Sequence, residues 1–131
     1  MIEAIQHVAL MTSDIERAAR FYTEVVGFHE VDRLETTHSG TIIFLSLEGA
    51  GTQLELFGGG KPRDPIEGRE PVGYRHIALR VDDVDAECAR LKSLGVEFML
   101  EPTTSDARFR LAFFRDPDGN PIELIREIGQ R

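Results

Sequence analysis

The chain repeats itself. His7-Val-Ala-Leu10 returns 69 residues later as His76-Ile-Ala-Leu79, and Asp14-Ile15 returns at the same interval as Asp83-Val84. Gly27 and Gly95 are 68 apart, as are Leu54-Glu-Leu56 and Ile122-Glu-Leu124. Such a recurrence marks two copies of one supersecondary unit. It constrains the fold more than any other feature, because what one half builds the other builds too. It also makes His7 equivalent to His76, and Glu55 equivalent to Glu123.

Each half reads βαβββ, an α+β pattern. Strands are expected over 4–11, 28–34, 41–47 and 53–57, and again over 74–81, 96–100 and 108–114, with a last strand around Glu123. In the first half, Ile15, Ala18, Ala19, Tyr22, Val25 and Val26 recur at helical spacing. Ser13-Asp-Ile-Glu16 ahead of them is a capping-box pattern, with Ser13 as cap and Glu16 reaching back. The second helix starts at Asp82, Asp83 and Asp85 and runs through Cys88, Leu91 and Leu94 to Gly95. Residues 101–107 read as a loop. Asp116-Pro-Asp-Gly119 is turn chemistry, in which Pro presets φ and Gly takes the left-handed position. The modules are 1–57 and 73–128, joined by a Gly- and Pro-rich linker over 58–72.

The totals exclude several function classes. A chain of 131 residues with 41% hydrophobic and 29% charged residues is one ordinary soluble domain. A net charge of −8 argues against nucleic acid and anionic membranes as partners. No apolar run approaches membrane-spanning length, and Met1–His7 lacks a signal peptide's basic start and apolar core. The single cysteine, Cys88, cannot form an internal disulfide, so a reducing cytoplasm is the expected compartment. On its apolar helical stripe Cys88 reads as core. Gly58-Gly-Gly60 has neither the spacing nor the following helix of a phosphate loop.

The chemistry sits in four polar residues set among apolar strand residues. A carboxylate in such a strand is expensive to bury unless it is paired or binds a cation. Singly, a strand histidine or glutamate is usually a hydrogen-bonded or solvated residue. Here two of each recur in matched contexts. His7, Glu55, His76 and Glu123 make an N₂O₂ donor set suited to Zn²⁺, Ni²⁺, Co²⁺, Fe²⁺ or Mn²⁺ rather than Ca²⁺ or Mg²⁺. His29 and His38 lack that support and read as surface residues. Arg80, Arg108 and Arg110 are candidates to reach a bound anion, and Phe44, Phe109 and Phe113 to pack the core or line a pocket.

Over nearly its whole length the sequence resembles the vicinal oxygen chelate superfamily, which includes glyoxalase I, methylmalonyl-CoA epimerase, extradiol dioxygenases and the fosfomycin and bleomycin resistance proteins. The resemblance rests on His7-Val-Ala-Leu with its following helix, Leu54-Glu-Leu, His76-Ile-Ala-Leu, and Asp116-Pro-Asp-Gly with Ile122-Glu-Leu. It implies paired βαβββ modules forming a cupped mixed sheet, a homodimer, a small-molecule substrate and one divalent transition metal per site. Full His–Glu–His–Glu ligation resembles glyoxalase I most. By that resemblance Glu123 is both ligand and catalytic base, moving a proton through a metal-stabilised enediolate of a 2-oxoaldehyde–thiol adduct or a related vicinal-oxygen substrate. Met11 stands where bacterial glyoxalases hold glutathione with an arginine, and Gly59 where they carry an asparagine. Another thiol, a CoA ester or a non-thiol substrate therefore stays open. So do an epimerase, an extradiol dioxygenase and a non-enzymatic drug-binding module.

Overall fold

Two sheets of identical topology carry the two copies of the repeat. The computed structural model describes residues 1–61 and 72–129, and the chain divides into two units, Met1–Asp64 and Pro65–Arg131. The first unit contains β1 (His7–Met11), α1 (Ile15–Arg20), β2 (His29–Thr36), β3 (Gly40–Ser46) and β4 (Gln53–Phe57), with strand order β1-β4-β3-β2. The second contains β5 (Ile77–Arg80), α2 (Val84–Ser93), β6 (Phe98–Ser105), β7 (Phe109–Arg115) and β8 (Pro121–Glu127), with order β5-β8-β7-β6. In each, the first strand runs parallel to the last and the other pairings are antiparallel. This is the α+β, βαβββ architecture that the repeat predicts. Among the described residues no helix is long and apolar enough to cross a membrane.

Strand alternation gives each sheet a helix-covered face and an opposite face. In the first unit Leu54 and Leu56 of β4, with Ile43 and Leu45 of β3, are buried beside Ala18, Ala19, Tyr22 and Phe28. The Gly58 Cα, in step with Leu54 and Leu56, sits where a Cβ would touch Ile15 of α1 at 3.6 Å. In the second unit Ile122, Leu124, Ala112 and Phe114 are buried with Val84, Cys88 and Leu91 of α2, which packs on β6, β7 and β8. The polar strand residues have the other parity, so Glu55 and Glu123 stand on the faces away from the helices.

Both helices start from an aspartate. Asp14 accepts from the Arg17 N–H at 3.1 Å and Asp83 from the Ala86 N–H at 3.0 Å. The first cap is therefore one residue later than the Ser13 pattern suggests, at the residue that the repeat aligns with Asp83. Glu16 bonds Arg33 on β2. After Arg20 the first helix widens into a π-helical stretch, Phe21–Val26, closed where Gly27 (φ 114°) donates to the Tyr22 carbonyl at 3.0 Å. α2 ends in a Schellman motif, with Gly95 N–H on the Lys92 carbonyl and Val96 N–H on the Leu91 carbonyl.

Three expected boundaries move by three residues or more. β1 starts at His7 rather than residue 4, because its partner β4 begins at Gln53 opposite His7. β5 starts at Ile77, opposite Ile122, rather than at residue 74. The expected 101–107 loop is mostly strand: β6 runs through Pro102 to Ser105 and turns in two residues, Asp106 and Ala107. β6 is the edge strand of its sheet, and its register shifts between Leu100 and Thr103, where a proline need donate nothing to the ladder. Of the expected linker, residues 62–71 lie outside the described residues. At its start the Gly60 N–H donates to the Thr12 carbonyl at 2.9 Å.

Candidate metal centre

Parallel pairing explains why a histidine and a glutamate meet in each unit. The register sets Ala9 beside Glu55, and His7, two residues earlier on the same face, lies diagonal to the carboxylate. His7 Nδ1 is 2.7 Å from Glu55 Oε2. In the second unit Ala78 is beside Glu123, and His76 Nε2 is 2.8 Å from Glu123 Oε2. The repeat thus recurs as geometry, with one difference: the first contact uses Nδ1 and the second Nε2.

Both carboxylates are buried, Glu55 to 7% and Glu123 to 8% exposure, between leucine or isoleucine neighbours that face the helix. Among the described residues histidine is the only ion-pair partner either has. His76 Nδ1 is buried with no hydrogen-bond partner, and its ring stands edge-to-face with Phe113 at 5.0 Å. His7 Nδ1 also faces the Gln6 amide oxygen.

The donors fit a divalent transition metal. Two neighbouring donors each about 2.1 Å from an octahedral ion are about 3.0 Å apart. The separations of 2.7 and 2.8 Å are within a few tenths of that. Among the described residues neither carboxylate is paired with a lysine or arginine, and a carboxylate so buried gains from a cation. Among the described residues these donors come in twos: no three His, Cys, Asp or Glu side chains gather into one cluster.

The turn before β8 sets the height of Glu123. Asp116, 5% exposed, accepts from the Asp118 and Asn120 N–H groups at 2.9 Å each and from Asn120 Nδ2 at 2.8 Å. The Gly119 N–H closes the turn on the Asp116 carbonyl at 3.0 Å, with φ 87° at the glycine.

The other expected site residues are dispersed. Phe44 stands opposite Glu55, and Phe113 holds the equivalent place opposite Glu123. Arg80 lines a cleft of about 500 Å³ with Phe109, Ile125, Arg126 and Glu127. Arg108 lies over the Phe109 ring at 5.1 Å, its Nε buried without a partner. Arg110 lies on the helix-covered face and bonds both carboxylate oxygens of Asp85, at 2.9 and 2.7 Å. That pairing raises the affinity of Arg110 for its proton and holds the Asp85 carboxyl below its ordinary range. His29 and His38 are exposed. Sequence reading missed the cleft, since strand register alone brings Arg80 together with Phe109.

Comparison with known proteins follows the same lines. The family model for the Glyoxalase/Bleomycin resistance protein/Dioxygenase superfamily matches residues 4–124. The chain is 34% identical to a probable lactoylglutathione lyase of Vibrio cholerae serotype O1, over 93% of this chain and 89% of that one. The crystal structure of SMU.1112c superposes with a TM-score of 0.85 at 31% identity, over 96% of this chain and 100% of that one. TnmS3, an antibiotic binding protein from Streptomyces sp. CB03234, superposes with a TM-score of 0.75 at 37% identity, over 94% of each chain.

Proposed function

Because the chain belongs to the Glyoxalase/Bleomycin resistance protein/Dioxygenase superfamily, we propose that it is a divalent-metal-dependent lyase or isomerase of glyoxalase type. In this reading His7, Glu55, His76 and Glu123 are the metal donors, and Glu123 also carries a proton between adjacent carbons of a substrate with vicinal oxygens. The observation that carries it is the repeated pair: a buried carboxylate whose one ion-pair partner among the described residues is a histidine nitrogen, at 2.7 Å in one unit and 2.8 Å in the other. Nickel, zinc, cobalt, iron or manganese at these donors would supply Lewis acidity to the substrate oxygens.

The chain's own residues do the rest. Glu123 is held on β8 by the Asp116 turn on one side and by its pairings with Ala78 and Phe113 on the other. A fixed carboxylate with aromatic and aliphatic neighbours can accept a carbon-bound proton without first shedding a water shell. His76 orients it, and Phe113 braces the ring of His76. A homodimer in a reducing cytoplasm belongs to the same reading, resting on the family resemblance and the single cysteine.

The test is metal content with turnover. Purified, dialysed protein should retain about one transition metal per chain, as four protein donors to one ion require, and His76→Ala should lose it. Glu123→Gln should keep the fold and lose turnover of 2-oxoaldehyde–thiol adducts about 10²-fold or more. A second reading, a ligand-sequestering module, is favoured by the 37% identity to the antibiotic binding protein TnmS3. Protein that stays metal-free after reconstitution would select it.

A further inference from the structure

The second unit holds a cleft that the metal donors do not account for. Arg80, Phe109, Ile125, Arg126 and Glu127 line about 500 Å³. Register fixes where it lies. Ile125 and Glu127 follow Glu123 at two-residue steps on β8; Arg80 is beside Ile125, and Phe109 is beside Glu127. Arg80, Ile125, Phe109 and Glu127 therefore share the face of Glu123. At about 3.3 Å per residue, their two levels are about 7 and 13 Å along the strand from the carboxylate.

The lining has an apolar floor, Phe109 and Ile125, and a charged rim. One guanidinium, that of Arg80, shares this face with one carboxylate, Glu127, in a chain whose net charge is −8, whereas Arg126, paired with Arg110, has the parity of the helix-covered face. Arg33, Arg90 and Arg110 are tied to acidic side chains. Arg80 and Arg126 have no ion-pair partner among the described residues. The repeat makes the charge specific to this unit. Arg80 stands 69 residues after Met11, and Glu127 stands 68 after Gly59. The two halves kept the His–Ala–Glu geometry in common and diverged at these two positions.

We propose that this cleft binds the acidic end of the substrate, a carboxylate or a phosphate, with Arg80 as its principal contact. The inference rests on Glu123 being the reacting group. It narrows the substrate to organic acids in which the reacting carbon is about six bonds or more from the acid, since extended chains advance about 3.3–3.6 Å per three bonds. The apolar floor takes the hydrocarbon between them.

The experiment uses the full chain, metal-free, without turnover. Hexanoate, butyl phosphate and uncharged hexanamide are titrated separately, and the Nε–Hε resonance of Arg80 is followed by NMR. One of the two acids should shift it saturably, while hexanamide does not. Stronger binding of hexanoate assigns a carboxylate, and stronger binding of butyl phosphate a phosphate. Arg80→Gln should weaken that acid about tenfold or more, as loss of a charged hydrogen bond does. Arg90→Gln, an equal change of net charge on α2, should leave it unchanged. Glu127→Gln should tighten it and gives a second reading that does not depend on the Arg80 variant folding. No saturable shift, equal affinities in the two arginine variants, or binding of hexanamide as tight as the acid overturns the proposal. Metal retention is untouched by these outcomes, so a failure here and a failure of the glyoxalase-type reading are told apart.

Discussion

His76 Nε2 is 2.8 Å from Glu123 Oε2, and among the described residues this contact is the one ion pair of a carboxylate only 8% exposed. The pair therefore has two states to offer: a direct hydrogen bond in the metal-free protein, and two adjacent donors in the loaded one. A ligand present at 100 times its dissociation constant adds about 2.7 kcal/mol to stability. The wild type should show a corresponding rise in Tm on adding saturating zinc or nickel. His76→Ala should show little of it, and should be less stable by about 1–3 kcal/mol without metal, because Glu123 is left buried and unpaired. Calorimetric melts with and without metal make the check; an equal metal-induced shift in both proteins would remove His76 from the site.

Asp116 holds the approach to Glu123 through three donors at 2.8–2.9 Å. Removing the acceptor strands two backbone N–H groups in a half-buried turn. Asp116→Ala should cost about 2–4 kcal/mol in urea unfolding, and Asp116→Asn, which keeps one carbonyl acceptor, clearly less. Turnover should fall in both, since β8 starts at Pro121, two residues before Glu123. A cost below about 0.5 kcal/mol, the ordinary surface value, would deny the turn its positioning role.

The histidine–glutamate pairs were legible in the sequence because duplication wrote them twice in matched contexts. Either residue alone would have read as an ordinary polar strand residue. The strand over Gln53–Phe57 was legible to the residue, bounded by turn glycines and alternating cleanly. The Asp14 cap was not legible, since Ser13 and Asp14 are equally good capping side chains and the repeat aligns them with Asp82 and Asp83, which are equally good in turn. Two features had no local signal. Helical spacing cannot distinguish the π-helical stretch Phe21–Val26 from an α-helix, because one extra residue per turn shifts few apolar positions. The cleft exists because pairing brings Arg80 and Phe109, 29 residues apart in the chain, to neighbouring levels of β8.

The β6–β7 turn carries an avoidable strain. Asp106 and Ala107 have φ of 53° and 55°, and the Arg108 N–H closes on the Ser105 carbonyl at 3.0 Å. Positive φ at both central positions is the type I′ hairpin, which favours Asp-Gly. Alanine pays a steric penalty there that glycine does not. Ala107→Gly should stabilise the protein by about 0.5–1 kcal/mol, the steric relief being partly offset by the freer unfolded chain. Gly129→Ala should act oppositely, since its Cβ would come within 2.5 Å of the Ala107 carbonyl oxygen. Urea midpoints of the two variants should therefore move in opposite directions.

Cys88 gives the stability of the second unit an alkaline limit. It is 2% exposed on α2, and burial, with the charges of Asp85 and Glu101, pushes its thiol from an ordinary 9.0 up to about 11. The folded state thus keeps its proton over a range where the unfolded chain gives it up. That contribution is complete below about pH 9 and is lost as pH rises toward about 11. It amounts to on the order of 2 kcal/mol. Cys88→Ala should be somewhat less stable than wild type at pH 7.5, through the small cavity it leaves. Its stability should then fall less steeply, so that the gap narrows or reverses by pH 10.5. Urea unfolding at pH 7.5, 9 and 10.5 reads this directly, and parallel curves for the two proteins would mean that the buried thiol is not what sets the alkaline slope.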